Sequence, residues 1–482
     1  MQIRPPREPN PTRRTTLAVR TVTAGIALGL VLVALLDRRL MQGGSVLGSV
    51  QWVLLAAAVC TGALCFTPAS WNQNALIVLI SVGISLVIAE LLLRGTLRPW
   101  FATMYQPDDR VLYRHIPGAE RAYNYGGTVI RYKINSQGFR GGELAPLGAL
   151  PRVLVYGDSF IQGDFSRTED TFTEQLRGRL AGILGRSVEV VNAGVAGYGP
   201  DQELRRMEDE LPVLKPNLVI VALYAGNDFG DLLRDKLYKL SSDGSLQDNS
   251  QVVLDNVLER NMQRAPREPI LFKMMRTVRN RLFGVPGEDL RTGRDARQAR
   301  VDADLKQGID EYRQYVIEGD NAVHDLLRDP YNADISLAPT SASARYKIAM
   351  MEQIMRRMNE TAAKIDAPLV FLLIPSPIDA AAVHESGEVD PAKYPEYRRS
   401  TLTDILEQIC RRNGFRVVNL FGPFWQRRAD DLYLKGMDDH WNARGEAYAA
   451  ELMGEFLRAQ NLLAIPRSAP RTDQTIRGQQ QP

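Results

Sequence analysis

The sequence predicts an α/β fold built on a parallel sheet, preceded by helices that cross a membrane. Between residues 151 and 463, short apolar runs typical of buried strands alternate with segments of helical pattern. Before residue 95, three long apolar runs are almost free of charge. A strand that is covered by helices on both faces is apolar along its whole length, and these runs fit that description.

The composition excludes some classes of partner. The net charge of the 482-residue chain is only +3, so no global field favours nucleic acid, and we expect no nucleic-acid partner. Three cysteines, Cys60, Cys65 and Cys410, do not indicate a disulfide framework. The spacing of cysteine and histidine shows no zinc pattern, and we expect neither a metal nor an organic cofactor.

The first 94 residues predict a basic flexible tail (1–20) followed by three transmembrane helices (21–94). The apolar runs are Thr21–Leu36, Val46–Phe66 and Ala75–Leu93. A membrane-spanning helix needs roughly 20 mostly apolar residues, which the second run meets and the others approach. One membrane hairpin plus a buried helix is the alternative. Membrane lipid is therefore an expected partner.

The arginines predict which side of the membrane the rest of the chain occupies. Five arginines precede the first run, two follow it, none lies between the second and third, and two follow the third. The positive-inside rule therefore favours, by a small margin, an N-terminus inside the cytoplasm. Three spans would then place everything after residue 100 on the extracytoplasmic side, in the periplasm. Two spans would reverse that side.

Residues 95–150 form a predicted β-rich segment, which we call the lead-in. Thr128–Ile134 alternates between apolar and polar residues, as a half-exposed strand does. Asn135–Gly138 is a turn signal. The lead-in connects the membrane helices to the main domain.

The main domain (151–463) contains five predicted strands and five predicted helices. The strands are Arg152–Tyr156, Val188–Asn192, Leu218–Leu223, Leu369–Ile374 and Arg416–Leu420. The helices are Thr171–Leu184, Gln202–Leu214, Ala344–Ala363, Tyr397–Asn413 and Ala443–Ala459.

A charged insertion at 229–342 interrupts this pattern. It has no sustained strand pattern, and Ala299–Leu326 is the part with a helical one. It is too long for an ordinary connection, so we expect an inserted subdomain or lid. Residues 464–482 are polar and predicted to be disordered.

Four short segments at predicted strand ends carry chemically capable residues. They are Gly157–Ser159, Asn192–Gly197, Gly226–Asp228 and Asp438–Asn442. In a doubly wound parallel sheet such ends lie along one edge. A nucleophilic serine needs a base, and a histidine base needs a carboxylate that holds its tautomer.

These requirements predict Ser159 as nucleophile and His440 as base. Asp438 is favoured over Asp439 as the carboxylate, because residues two apart in an extended segment point the same way. The backbone N–H of Ser159, a glycine N–H near Gly197 and the Asn227 amide are candidate oxyanion donors.

Other readings of the same residues remain open. Ser159 alone could be a helix cap, and Asp158 and Asp228 could brace loops. His115, His324 and His384 have no motif around them, and we expect them at the surface.

In their order and placement, these four segments resemble the conserved blocks of the SGNH/GDSL hydrolases. The resemblance covers about residues 150–460 without the insertion. It implies a three-layer α/β/α sandwich, with Ser159 as nucleophile, His440 as base, and Gly197 rather than Gly194 as oxyanion donor beside Asn227. The commonest family pattern has an aspartate three residues before the histidine, where this chain has Met437.

The Asp438-x-His440 spacing is instead similar to that of the branch that modifies polysaccharide O-acyl groups. We therefore expect a membrane-anchored serine esterase or O-acyltransferase that acts on acyl esters, with polysaccharide as the favoured substrate. The alternatives are a lysophospholipase or thioesterase acting on lipid, and a catalytically silent membrane scaffold.

Overall fold

We describe the protein from a computed structural model. The described residues are 11–40, 49–101, 104–125, 128–251, 293–322 and 329–462, with the single positions 270, 271, 274, 275, 277, 278 and 326. The chain divides into two compact units. The first contains residues 1–102 and 258–288, and the second contains residues 103–257 and 289–482.

Three helices form the described part of the first unit: α1 (Pro11–Leu40), α2 (Ser49–Ala63) and α3 (Ala69–Phe101). Both α2 and α3 contact α1. The hydroxyl of Thr23 on α1 donates a hydrogen bond of 2.8 Å to Asn72 Oδ1 on α3, and both side chains are buried. On α3 the carboxylate of Glu90 accepts hydrogen bonds from the backbone N–H groups of Ile270 and Leu271.

The predicted flexible tail needs correction. It was predicted over 1–20, but α1 begins at Pro11, because the arginines of its first turns do not oppose helix formation. The second apolar run, Val46–Phe66, contains the 15-residue helix α2 and the three-residue helical turn Leu64–Phe66. Within the described residues, two helical segments, Thr15–Leu35 and Ala69–Leu97, are long and apolar enough to cross a bilayer.

The lead-in contains two antiparallel strand pairs. Strand β1 (Tyr105–Asp108) pairs with β2 (Leu112–His115), and β3 (Glu120–Tyr125) pairs with β4 (Thr128–Lys133). Alternate residues of β4 are buried, as the apolar–polar pattern predicts. The second pair contributes to a small core with Met104, Ile130 and Tyr132.

A five-stranded parallel sheet forms the centre of the second unit. Its strands in chain order are β5 (Arg152–Tyr156), β6 (Glu189–Asn192), β7 (Leu218–Tyr224), β10 (Leu369–Ile374) and β11 (Arg416–Asn419). Their order across the sheet is β6-β5-β7-β10-β11. The chain therefore reverses its winding direction between the neighbouring strands β5 and β7. The crevice at the carboxyl ends of two such strands is where open α/β sheets bind ligands.

Helices cover the sheet on both faces. Alternate residues of β5, β7 and β10, among them Val155, Ile220 and Leu372, form one core with α5 (Phe172–Leu184) and α14 (Ala443–Ala459). The residues between them are equally buried and point to the opposite face. The parallel α/β sheet of the sequence prediction is thus confirmed.

Further described helices of normal length are α6 (Pro200–Leu214), α10 (Ala342–Ala363) and α12 (Thr401–Asn413), and four more are short. The short helices are α4 (Ser159–Gln162), α9 (Ala333–Leu337), α11 (Pro377–Ala380) and α13 (Phe421–Gln426). Helix α10 packs against both α6 and α12.

The insertion contains more regular structure than its sequence pattern indicated. It begins with α7 (Asp228–Asp235) and a short hairpin of β8 (Tyr238–Leu240) and β9 (Leu246–Asp248), which the sequence analysis missed. Strands of three residues are too short to show the alternation of apolar and polar residues that marks a strand in sequence. Helix α8 (Arg294–Tyr312) continues in helical form to Ile317, so it begins and ends earlier than predicted. The predicted disordered tail lies outside the described residues.

Candidate active site

Ser159 lies three residues beyond the end of β5, at the first position of α4. The carboxylate of Asp158 accepts a hydrogen bond of 2.9 Å from the Phe160 N–H and so caps this helix. A side chain at Gly157 would overlap Ile161. Glycine is therefore required here by close packing beneath the serine.

His440 connects Ser159 to Asp438. Its Nε2 lies 2.7 Å from Ser159 Oγ, and its Nδ1 lies 2.8 Å from Asp438 Oδ1. Asp438 Oδ1 also accepts the backbone N–H of His440 at 3.1 Å. Because a carboxylate only accepts hydrogen bonds, it holds the Nδ1–H tautomer and leaves Nε2 facing the serine hydroxyl.

The neighbouring carboxylate, Asp439, has a different partner. Its Oδ2 accepts a hydrogen bond of 2.5 Å from the Tyr224 hydroxyl, and its Oδ1 lies 3.5 Å from His440 Nδ1. Tyr224 is the last residue of β7 and lies against the ring of Phe160, with ring centroids 4.2 Å apart. Asp439 is therefore held beside the imidazole without taking the place of Asp438.

The surroundings of His440 favour its charged form. Burial lowers the pKa of the imidazole, but the hydrogen bond to Asp438 and the charges of Asp439, Asp438 and Asp158 outweigh burial and raise the pKa to about 9. The ring stacks on Phe160 at 4.7 Å between centroids. Phe165 lies against it at 4.8 Å.

The loop after β6, residues 193–199, carries the two glycines considered as oxyanion donors. The N–H of Gly194 donates to Asn192 Oδ1 at 3.1 Å, and a side chain at Gly194 would overlap the backbone of α4. Gly197 has a φ of +74°, which favours glycine. In the described part of the chain, its N–H has no hydrogen-bond partner, and neither has that of Ser159.

Asn227 follows β7, the strand next to β5. It is buried, and its Oδ1 meets no partner among the described residues. Asp228 Oδ2 accepts the Tyr224 N–H at 2.8 Å and closes the turn that presents Asn227. Asp228 therefore braces the turn after β7, which is the structural role considered for it in the sequence.

The prediction that the other histidines lie at the surface is wrong for two of them. His115 is 2% exposed and His384 is 8% exposed. The ring of His384 contacts Leu434 O and Ser386 Oγ. No sequence motif marks either residue, because each has a partner far along the chain: Gln162 is 47 positions from His115, and Leu434 is 50 positions from His384. His324 lies outside the described residues.

Sequence reasoning also missed Gln162, the last residue of α4. This fully buried side chain contacts His115 Nε2 at 2.9 Å and accepts the N–H of Ala196 at 2.7 Å. Its position one helical turn after Ser159 is the sequence signal that could have identified Gln162 as a residue near the site.

Asp438, Asp439 and His440 also bring potential metal-ligating atoms within 4.8 Å of one another. Each of the three has a protein partner. Asp438 accepts from His440, Asp439 accepts from Tyr224, and the remaining ring nitrogen of His440 faces Ser159. The arrangement is accounted for by hydrogen bonding between these side chains.

Comparison with known proteins finds solved structures of similar fold and one family match. No curated protein sequence matches the chain. The chain is similar in fold to a lipase/acylhydrolase from Enterococcus faecalis (11% identity, 64% of this chain and 97% of that chain covered, TM-score 0.30). It is likewise similar to the acetylxylan esterase Axe2 from Geobacillus stearothermophilus (12% identity, 68% and 100% covered, TM-score 0.31). A third similar structure is the esterase EstA from Pseudoalteromonas sp. (11% identity, 64% and 98% covered, TM-score 0.31).

The sequence match is more specific: residues 155–342 match the profile of the GDSL-like lipase/acylhydrolase family. That range includes the segments of Ser159, Gly197 and Asn227. Residues 155–342 therefore match the GDSL-like lipase/acylhydrolase family, and this match indicates an ester hydrolase of the SGNH/GDSL type.

Proposed function

We propose that the protein is a membrane-anchored serine esterase or O-acyltransferase that acts on acyl esters of a cell-envelope or exported polysaccharide. The catalytic part of the proposal rests on one observation, the hydrogen-bonded chain from Ser159 through His440 to Asp438. Ser159 Oγ lies 2.7 Å from His440 Nε2, and His440 Nδ1 lies 2.8 Å from Asp438 Oδ1. A serine with this partner can attack an acyl carbon once the imidazole removes its proton.

The proposed reaction has two halves. Ser159 Oγ forms a bond to the carbonyl carbon while its proton passes to His440 Nε2, which generates a tetrahedral oxyanion. His440 then protonates the leaving alcohol as the old ester bond breaks, and an acyl-enzyme remains. Water or a sugar hydroxyl next gives its proton to His440 and attacks the acyl carbon, and Ser159 regains a proton as the product leaves.

Three hydrogen-bond donors are assigned to the oxyanion. They are the N–H groups of Ser159 and Gly197 and the side-chain amide of Asn227, which follow the neighbouring strands β5, β6 and β7. A preorganised donor of this kind contributes about 2.7–4 kcal/mol to the transition state in comparable enzymes. Asp438 and Asp439 stabilise the imidazolium that forms at the same time.

Aromatic rings beside the histidine favour a sugar ester over a lipid ester. Phe165 contacts the His440 ring, and Tyr125, from the hairpin of β3 and β4, lies against Phe165 with centroids 4.6 Å apart. Both aromatic side chains are half-buried, and the charges of Asp164 and Asp438 lie close to His440. Flat apolar faces next to polar groups suit a sugar ring better than a long acyl chain, because the acyl chain would displace solvent from these carboxylates and offer them no hydrogen bond in return.

The helices of the first unit support membrane anchoring. On α3, Ile84, Val87 and Leu91 expose 56%, 60% and 65% of their surface. An apolar surface of this extent is typical of a helix that meets lipid. We propose that α1, α2 and α3 all cross the membrane and leave the catalytic domain outside the cytoplasm, in the periplasm.

The catalytic proposal is tested with the detergent-solubilised full chain and 4-nitrophenyl acetate. We expect nitrophenol release by the natural protein and release at the buffer rate by Ser159→Ala. Equal rates from two folded proteins would contradict the proposal and favour the silent scaffold.

The substrate class is tested by comparing acetylated oligosaccharides with long-chain acyl esters and lysophospholipid. Phe165→Ala and Tyr125→Ala should raise KM for the oligosaccharide and leave that for 4-nitrophenyl acetate nearly unchanged. Faster turnover of long acyl chains by the natural protein would instead support the lipid hydrolase. Added sugar acceptor distinguishes transfer from hydrolysis by the appearance of acylated acceptor.

The topology is tested with a reporter that is active only outside the cytoplasm, fused after Leu462. Activity supports three spans. Its absence in a well-expressed fusion would support two spans, with the catalytic domain inside.

A further inference from the structure

The lead-in makes a set of hydrogen bonds to the loop that carries Gly197. On one side of Gly197, the Tyr113 hydroxyl donates to Ala196 O at 2.8 Å. On the other side, the Tyr198 hydroxyl donates to the backbone oxygen of Tyr113. The rings of Tyr113 and Tyr198 also meet edge to face, with centroids 5.2 Å apart. One lead-in residue therefore holds both neighbours of the glycine.

A second connection runs through Gln162 at the end of α4. Its Oε1 accepts the Ala196 N–H at 2.7 Å and faces His115 Nε2 at 2.9 Å. Its amide nitrogen donates to the Tyr105 hydroxyl at 3.0 Å. Gln162 thus connects the helix that begins with Ser159, the Gly197 loop, and strands β1 and β2 of the lead-in.

His115 acts in this network as a fixed hydrogen-bond donor. Burial and the positive charges of Arg206 and Arg140 lower its pKa to about 4, so the ring is neutral at physiological pH. A neutral ring has one N–H, which we assign to Nε2 because Gln162 Oε1 is the closer of its two acceptors. The ring is stacked on Tyr105 at 5.2 Å between centroids, which fixes its orientation.

The Gly197 loop needs such support for a physical reason. Glycine has the widest choice of backbone conformations, and at φ +74° no side chain restrains it. An oxyanion donor contributes only if it already points at the developing charge before the reaction begins. A displacement of about 1 Å can cost a factor of about one hundred in rate.

The family match begins at residue 155, so the lead-in lies outside it. We propose that the lead-in is a positioning element of the active site: its Tyr113 and His115, acting with Gln162 of α4, hold the Gly197 N–H in its oxyanion-binding orientation. This inference rests on the proposed function, because it concerns the orientation of one donor in that reaction.

The test compares Tyr113→Phe with the matched variant Tyr123→Phe in the full chain. Tyr123 belongs to the same lead-in, and its buried hydroxyl has no partner among the described residues. We expect Tyr113→Phe to lower kcat for 4-nitrophenyl acetate about tenfold to hundredfold with little change in KM, because the lost orientation matters only in the transition state. Tyr123→Phe should retain the natural kcat.

His115 provides a rescue experiment. His115→Leu removes the donor to Gln162 and should lower kcat in the same way, whereas His115→Gln supplies an N–H again and should recover most of the loss. Rescue by glutamine at equal melting temperature distinguishes positioning from a general loss of stability.

Phenylboronic acid gives a second readout. Boron binds Ser159 Oγ, the hydroxyl proton passes to His440, and one oxygen of the tetrahedral adduct occupies the oxyanion site. The inhibition constant should rise in Tyr113→Phe and His115→Leu in parallel with the fall of kcat. Folded variants with natural kcat and natural inhibition constant would overturn the inference.

Failure of the proposed function gives a different result. If the natural protein shows neither Ser159-dependent ester cleavage nor boronate binding, both the function and this inference are contradicted. If the natural protein is active and Ser159→Ala is not, but the lead-in variants behave like the natural protein, only the inference is contradicted.

Discussion

The two ends of helix α4 contact two histidines with opposite acid–base properties. At the first residue, Ser159, the neighbour is His440, whose pKa is raised to about 9. At the last residue, Gln162, the neighbour is His115, whose pKa is lowered to about 4. His115 is buried and His440 is half-buried, and both rings are stacked on an aromatic side chain.

The difference comes from the charges around each ring. His440 is surrounded by carboxylates, which stabilise its imidazolium, whereas His115 lies near Arg206 and Arg140, which oppose protonation. Burial alone lowers the pKa of both. One histidine is thereby suited to accepting a proton during a reaction, and the other to staying neutral and holding a hydrogen bond.

The largest expected difference between the two sites is in catalysis. His440→Gln should lower kcat for 4-nitrophenyl acetate by a factor of about ten thousand or more, because no group remains to remove the serine proton. The matched change at the other end, His115→Gln, should cost less than about tenfold, since glutamine can still donate to Gln162. Similar losses in both variants would show that the two histidines do not have separate roles.

The next comparison concerns the two carboxylates beside His440. Asp438→Asn should lower kcat by a factor of about ten thousand, because the Nδ1–H tautomer is no longer held. Asp439→Asn should cost about tenfold or less, since Asp439 Oδ1 is 3.5 Å from Nδ1 and Oδ2 is occupied by Tyr224. The opposite ranking in steady-state kinetics would assign the orienting role to Asp439.

The pH dependence separates the two histidines more finely. A protonated His440 cannot accept the serine proton, so kcat/KM should rise with pH and level off only above about pH 9. Asp439→Asn removes one negative charge and should move the rise of kcat/KM to lower pH. His115→Gln should leave the position of this rise unchanged, because a group with a pKa of about 4 does not titrate in that range.

The smallest expected effect is on stability. The pKa of His115 is lower in the folded than in the unfolded chain, so its contribution is present above about pH 6.5 and is lost as pH falls toward 4. His440 has the opposite sign, and its contribution is present below about pH 6.5 and is lost as pH rises toward 9. Each change amounts to at most about 3 kcal/mol.

These contributions are measured from melting temperatures of the natural protein, His115→Gln and His440→Gln across pH 4–9. The difference in melting temperature between the natural protein and His115→Gln should change only on the acidic side. The difference between the natural protein and His440→Gln should change only on the alkaline side. Differences that do not vary with pH would mean that neither ring changes its pKa on folding.

Much of the fold followed from local sequence pattern. The predicted bounds of Arg152–Tyr156, Leu369–Ile374 and Ala443–Ala459 agree with the structure, because buried strands are short continuous apolar runs and the last helix has a clear period. The family resemblance followed from four motifs in order at strand ends. The short hairpin of β8 and β9 has no comparable signal in three-residue strands.

The sequence by itself determined the order of the five sheet strands, the resemblance to an ester-hydrolase family and the candidates Ser159, Asp438, His440, Gly197 and Asn227. These features could be read because each strand end and the reactive residues that follow it are contiguous in the chain. Only the tertiary structure decided that α2 is short, that His115 is buried, and that Gln162 connects the lead-in to the Gly197 loop. Contacts such as that of His115 with Gln162 join residues 47 positions apart. They depend on which surfaces the folded chain brings together, and no periodicity or motif in the sequence encodes that.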